Sequence, residues 1–340
     1  MKKKLVYIIA AIVIIAVFAT AGAIYYNTAN NYVATVAGEK VTKAEYRFFL
    51  SIAKRNMENE AGLDGEESKK SFWKGKEEAV KNDALDSAKE FKIQLIQAKE
   101  KKISLTKDDE NNVNQTVDQT IQAYGGRAKA DEQLKNMYGI NLEEYKSIFK
   151  DFILINKFIE EERKTIETTD DEMNKYFEEN KRDFGSATVK HILISTVDAS
   201  RNPLPEHKQL EAKKKAEDVL QKAKEGQDFA ELAKTYSEDP GSKDKGGEYT
   251  FTKGKMVKEF EEWSFDKNRK AGDMDIVKTS YGYHVMKFEK FEDTTFDKVK
   301  DQIKNSLQSK AYTKKLEDWK KDVKYNVIKN EAVFNSINIM

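Results

Sequence analysis

Two of the chain's three histidines, His191 in VKHILI and His284 in YGYHVMKF, stand where they could do chemistry. Each lies in a short run that alternates apolar and polar residues, the period-two pattern of a strand. Strands at the two ends of a compact unit commonly pair in one sheet, which would bring these two imidazoles together. Such a pair can take a direct part in a reaction or can shape a pocket, because a catalytic role requires reach to the reacting atoms. Between them lie Asp239 in SEDPGS, a turn by composition, and Met256 and Phe260, four apart, which is also ordinary core spacing. Cysteine is absent. That excludes disulfides, thiolate metal sites, a cysteine nucleophile and a lipidated N-terminal cysteine. With three histidines, no histidine-rich metal site is expected, and no cofactor is implied.

The elements that must position these residues read as one unit, about Ala187 to Glu289. Val189–Ile194 is a strand and Pro203 and Pro205 mark a loop. A helix over Glu206–Lys224 turns Leu210, Ala216, Leu220 and Ala223 inward, and Gly226 ends it. A second helix runs from Asp228 to Tyr236. Gly246-Gly247 leads into a strand at Glu248–Phe251. Gly254-Lys255-Met256-Val257 opens a third helix that contains Phe260 and ends near Phe265. Strands at Ile276–Lys278 and His284–Phe288 complete the order β-α-α-β-α-β-β.

This order resembles the parvulin family of peptidyl-prolyl cis/trans isomerases. The likeness rests on separated motifs: HILI on the first strand, FAELAKTYSEDPGS, GG-x-x-x-F, G-x-MV-x-EFE, and YGYH on the last strand. The resemblance implies catalytic positions at His191, Asp239 and His284. The histidines match a hydrogen-bonded pair in the middle of the sheet, and Asp239 stands where parvulins carry cysteine or aspartate. It also implies that Met256 and Phe260 grip the proline ring, with Phe251 and Tyr249 lining the same pocket. Tyr249 sits where a leucine is usual and Thr250 where a glycine is usual. The loop Ser200–His207 lacks clustered Arg and Lys, so no phosphoserine-proline preference is expected, and His207 reads as a surface or capping residue. The chemistry fits these residue types. An X-Pro bond has a small trans preference but a barrier of about 18–20 kcal/mol from amide resonance. Lowering it needs neither nucleophile nor metal, only tighter binding of the twisted amide than of either planar form.

The flanking sequence is helical. Tyr32–Ala37 alternates and meets a turn at Gly38-Glu39. Thr42-Lys43-Ala44-Glu45 is a capping box opening a helix with Tyr46, Phe49, Leu50 and Ala53 on one face. A long helix is expected from about Trp73 to Lys101. Helices opened by Thr106, Arg127, Asn141 and Thr169 follow, so residues 32–183 read as one strand and five or six helices. After the central unit, Thr295 begins a helix with Phe296, Val299, Ile303, Leu307, Ala311 and Trp319 on its buried stripe. It is expected to pack on the N-terminal helices, because an isolated amphipathic helix is marginal in water. The aromatic stripes read as core, or alternatively as an apolar cradle for unfolded chains.

Charged residues make up 35% of the chain, yet the net charge is +1. Such a balance gives no argument for nucleic acid. Lys2, Lys3 and Lys4 precede an apolar run from Leu5 to about Tyr26. The charges favour a cytoplasmic N-terminus with the remainder translocated. The run is nearer to the roughly 20 residues of a spanning helix than to a signal peptide's shorter core. Small-residue cleavage sites at Ala19–Ala23 keep a cleaved, secreted form open.

Taken with VATVAGEKVTKAEY, the arrangement resembles the extracytoplasmic foldases of the PrsA, SurA and PpiD type. Members of the PrsA type are usually lipid-anchored through a cysteine, which an apolar helix would replace here. The resemblance implies an α+β fold. Residues 1–27 would be a transmembrane anchor or signal peptide and 28–183 a helical chaperone domain. Residues 184–291 would be a parvulin domain with a four-stranded antiparallel sheet, inserted ahead of the C-terminal helix of 292–340. The implied function is isomerase and foldase for secreted proteins, at the membrane and extracytoplasmic. The alternative is a client-binding holdase with a silent parvulin domain. The implied partners are unfolded secreted chains with X-Pro bonds and, through the N-terminal helix, the membrane. A homodimer is left open, and nucleic acid is not among the partners.

Overall fold

A computed structural model describes residues 31–63 and 65–339 of the chain. The apolar run Leu5–Tyr26, expected to be a membrane anchor, lies outside these residues. Among the described residues no helix is long and apolar enough to cross a membrane.

The described residues open with strands β1 (Tyr32–Val36) and β2 (Glu39–Thr42). Seven helices follow: α1 (Lys43–Glu60), α2 (Glu66–Trp73), α3 (Glu77–Glu100), α4 (Lys107–Ala123), α5 (Arg127–Tyr138), α6 (Leu142–Lys164) and α7 (Asp170–Phe184). Then come β3 (Ser186–Ser195), α8 (Glu206–Lys224), α9 (Phe229–Tyr236), β4 (Glu248–Thr252), α10 (Lys258–Ser264), β5 (Met274–Lys278) and β6 (Gly282–Glu292). The order ends with α11 (Phe296–Lys321), β7 (Val327–Lys329) and α12 (Glu331–Ser336). Two compact units result, one of residues 168–307 and one of the chain before and after them.

The outer unit is helical because its termini are satisfied locally. Thr42, Thr106 and Asn141 each accept the backbone N–H three residues on, while Glu45, Asp109 and Glu144 reach back to the cap N–H. Each such box removes two orphan donors, worth about 1 kcal/mol. The long helix expected from about Trp73 starts at Glu77, because Gly75 takes a positive φ of 80° after a short helix that ends at Trp73. Its core joins Val33, Tyr46, Phe91 and Phe158 to Tyr312, Leu316 and Phe334 from the far end of the sequence. Glu162, with its side chain fully buried on α6, pairs with both Lys101 and Lys315. The single strand expected near Tyr32 is a hairpin, and β7 joins it in a sheet of order β2-β1-β7.

The inner unit is a four-stranded antiparallel sheet of order β4-β3-β6-β5 with helices around it. β3 and β6 are its two central strands, which places Leu193 opposite His284 and Met286 opposite His191. One side packs on α8 and α9 through Ile192, Ile194, Val285, Ala216 and Leu232. The other packs on α10 through Phe260, Trp263, Phe251 and Met286. On α8 the buried stripe is Ala212, Ala216, Val219 and Ala223. Leu210, expected to face in, is 55% exposed; two positions from Ala212 is about 200° around a helix. Both α7 and the first turns of α11 belong to this unit, packed through Met173, Phe177, Phe184, Val299 and Ile303. Only the part of α11 from Gln308 onward belongs to the helical unit.

Candidate active site

His191 and His284 project from adjacent central strands on one face of the sheet, and both are buried. Their Nδ1 atoms are 3.0 Å apart and the rings stack with centroids at 5.2 Å. His284 Nε2 lies 2.9 Å from Thr279 Oγ1, which accepts the N–H of Tyr281 at 3.1 Å. On the other side, His191 Nε2 lies 3.1 Å from Asp239 Oδ2 and 3.0 Å from Ser242 Oγ. The Ser242 and Tyr249 hydroxyls also donate to Asp239 Oδ2.

These contacts assign the protons from one end to the other. An ionised Asp239 only accepts, so His191 carries its proton on Nε2 and leaves Nδ1 bare. His284 must then donate from Nδ1, and its bare Nε2 accepts from the Thr279 hydroxyl. Every polar atom in the row has a partner, which is the condition for burying such groups without a large penalty. The electrostatics agree. The hydrogen bond from His191, helped by Ser242, holds the Asp239 carboxyl well below the usual carboxylate range against desolvation. Burial, reinforced by His191, pushes His284 down to about 3, so its imidazole is neutral at physiological pH. Burial and the neighbouring carboxylate raise the Tyr249 phenol, which stays a donor.

The loop and turns around the row are built for it. Ser237, the C-cap of α9, accepts the Leu193 N–H at 3.2 Å, and the Glu238 N–H donates to the Leu193 carbonyl at 2.8 Å. Asp239 is thereby pinned beside β3. Gly247 runs back to back with His191, accepting its N–H at 2.8 Å. A Cβ on Gly247 would stand 2.3 Å from the His191 carbonyl oxygen, and its φ of +79° is one that side chains rarely adopt.

Beside this polar row stands an aromatic wall. Phe260 meets the His191 ring edge-on at 5.3 Å and the His284 ring at 5.4 Å, and Phe251 lies 5.6 Å from Phe260. Met256 and Tyr249 pack on the same cluster and are half-buried. The expected helix start at Gly254 is wrong by four residues. α10 begins at Lys258, and Met256 sits in the preceding turn, where the Glu261 carboxylate accepts the N–H of both Lys255 and Met256. Met256 and Phe260 therefore share the cluster without sharing a helix. Thr250, unusual for the family pattern, has a partner across the strands, its hydroxyl 2.8 Å from that of Thr188. His207 is exposed on α8.

All seven residues singled out from sequence thus lie in one row or in the wall beside it. Sequence reasoning missed Ser242 and Thr279, the two hydroxyls that fix the ends of the row. Their signal was positional only: Ser242 stands three residues after Asp239 in a turn, and Thr279 directly follows β5, before His284 returns on β6. Among the described residues no cluster could hold a metal ion.

A family model described as PPIC-type PPIase domain matches residues 172–292. Another, described as SurA-like N-terminal domain, matches residues 1–159. The foldase protein PrsA of Caldanaerobacter subterraneus subsp. tengcongensis is 30% identical over 294 residues, spanning 84% of this chain and 82% of that one. The chain belongs to the PrsA foldase family. A PrsA of Clostridium botulinum is also 30% identical, over 323 residues, with 86% and 87% covered. The crystal structure of foldase protein PrsA from Streptococcus pneumoniae is 21% identical, covers 80% of this chain and 97% of its own, and has a TM-score of 0.43. This foldase is a parvulin-type peptidyl-prolyl isomerase, and its substrates are unfolded proteins with proline. Its departures from the parvulin pattern at Tyr249 and Thr250 both have hydrogen-bond partners in the folded unit.

Proposed function

We propose that Phe251, Met256 and Phe260 receive the proline ring of a client, while Asp239 faces the carbonyl of the preceding residue, held by His191, Ser242 and Tyr249. Amide resonance places negative charge on that oxygen. A fixed anion beside it disfavours this resonance form and so weakens the partial double bond. His191 and His284 hold the carboxylate in position rather than exchange protons with the substrate. The observation that carries this reading is the unbroken row Thr279–His284–His191–Asp239 alongside an aromatic wall.

On the same reading the helical unit holds unfolded segments while the isomerase works on them, and the apolar run Leu5–Tyr26 anchors the chain so that both units act outside the cytoplasmic membrane on secreted proteins. The experiment is prolyl isomerisation by the full chain on short peptides that differ in the residue before proline. Acceleration above the uncatalysed rate is expected, with at least about a tenfold loss in His191→Ala and Met256→Ala. Wild-type activity in either variant would sink the site assignment. Lack of acceleration by a folded wild type would sink the enzymatic reading itself.

A further inference from the structure

The helical unit contains a cavity of about 320 Å³ between α3, α6, β2 and the turn after α3. Four of the residues around it are apolar: Leu95, Ile96, Ile103 and Leu154. All but Ile96 are only half-buried and so offer surface to it. The size falls at the low end of the range of pockets that enclose a ligand group, about 300–1,000 Å³.

The charges at the wall are unequally matched. Lys99 is taken by Glu39 at 2.7 Å, and Lys92 by Glu45 at 2.7 Å. Asp151, half-buried on α6, has no hydrogen bond or ion pair among the described residues. With Glu45, which lies behind the wall and takes Lys92, the two closed pairs and one lone carboxylate leave this cluster one positive charge short. A purely apolar occupant would bury Asp151 without a partner, which is costly. A bare ion would leave the apolar walls unused. Long basic side chains satisfy both, since they lay methylenes on apolar surface and carry the charge at the tip.

We propose that this cavity takes a lysine or arginine side chain of an unfolded client, its stem against Leu95, Ile103 and Leu154 and its cationic head on Asp151. This rests on the reading of the helical unit as the client-holding part. The groups facing Asp151 set its response to pH. Burial and the like charge of Glu45 on α1 push its carboxyl up to about 6, against the pull of Lys92 on α3 and Lys150 on α6. The pair Glu39–Lys99 at the rim is already neutral in sum. The carboxylate is therefore charged near pH 7 and largely protonated near pH 5, and the preference for a cation strengthens as pH rises between them.

The test titrates the full chain with two fluorescein-labelled, proline-free extended peptides that differ only in lysine against norleucine, followed by anisotropy. The lysine peptide should bind about tenfold more tightly near pH 7, a difference of about 1.4 kcal/mol. That preference should shrink towards pH 5 and vanish in Asp151→Asn, with prolyl isomerisation unchanged. Equal binding of the two peptides overturns the lysine pocket and leaves client holding intact. Binding of neither removes both. A lysine preference that survives Asp151→Asn places the recognition elsewhere and overturns the assignment.

Discussion

His284 in the parvulin unit and Asp151 in the helical unit are both pushed by burial towards their neutral forms, yet acid acts on them in opposite directions. His284 titrates near 3 in the fold against 6.5 ordinarily. The unfolded chain binds its proton first, so its contribution to stability is present above about pH 6.5 and is lost as pH falls towards 3. Asp151 titrates near 6 against 3.8. Here the folded chain holds the proton that the unfolded chain releases, so the contribution is full below about pH 3.8 and is lost as pH rises through 6. The surroundings differ. His284 is neutral with both nitrogens hydrogen-bonded, whereas Asp151, raised by burial and by the charge of Glu45, has no hydrogen-bond partner among the described residues. A satisfied neutral group marks a finished site, and an unsatisfied ionisable one marks a place for something else.

The comparison can be broken most severely at Gly247. Gly247→Ala should cost the parvulin unit more than about 4 kcal/mol, since a Cβ would strike the His191 carbonyl. Isomerase activity should fall to background while the far-ultraviolet signal of the helical unit persists; a variant as active as wild type would refute the close approach. His284→Gln should flatten the acid limb of parvulin-unit stability, removing a pH-dependent loss of up to about 4 kcal/mol between pH 6.5 and 3. Denaturant midpoints across that range measure it, and an unchanged slope would mean that another group carries the acid sensitivity. Asp151→Asn should instead stabilise the helical unit by about 2 kcal/mol near pH 7, allowing for partial exposure, and by almost nothing near pH 4. A loss of stability near pH 7 would show that Asp151 has a partner after all. The smallest effect is Tyr249→Phe. Losing one of three donors to Asp239 Oδ2 should cost about 1 kcal/mol, roughly fivefold in kcat/KM. The loss should deepen on the acid side, where Asp239 protonates more readily, and an identical pH–rate profile would remove Tyr249 from the row.

Much of the parvulin unit was legible because its signals are local and stacked. Alternation marks β3 and β6, glycines punctuate the turns, and the two histidines mark the sheet's middle. The capping residues Thr42, Thr106, Asn141 and Thr169 placed helix starts for the same reason. What escaped depends on partners distant in sequence. Val327–Lys329 is too short to show a period, and it becomes a strand only because β1 offers an open edge. The stripe on α11 reads as continuous, yet Val299 and Ile303 pack on α7 while Tyr312 and Leu316 pack in the helical core. Ser242 and Thr279 are ordinary turn residues until the imidazoles they serve are in place. Leu210 was misjudged because hydrophobicity was read ahead of helical phase.

The pairing of β1 with β7 bears on how the molecule is made. Asn330 bonds to the carbonyl of Tyr32, 298 positions away, and Tyr325, Val333 and Phe334 fill the core begun by Val33 and Tyr46. The parvulin unit is one uninterrupted stretch and can close as soon as its own residues emerge from the ribosome or a translocation channel. The helical unit must wait with its apolar face uncovered until β7 arrives. During that interval the nascent chain is itself an unfolded polypeptide with an exposed greasy surface, the kind of molecule that it matures to serve.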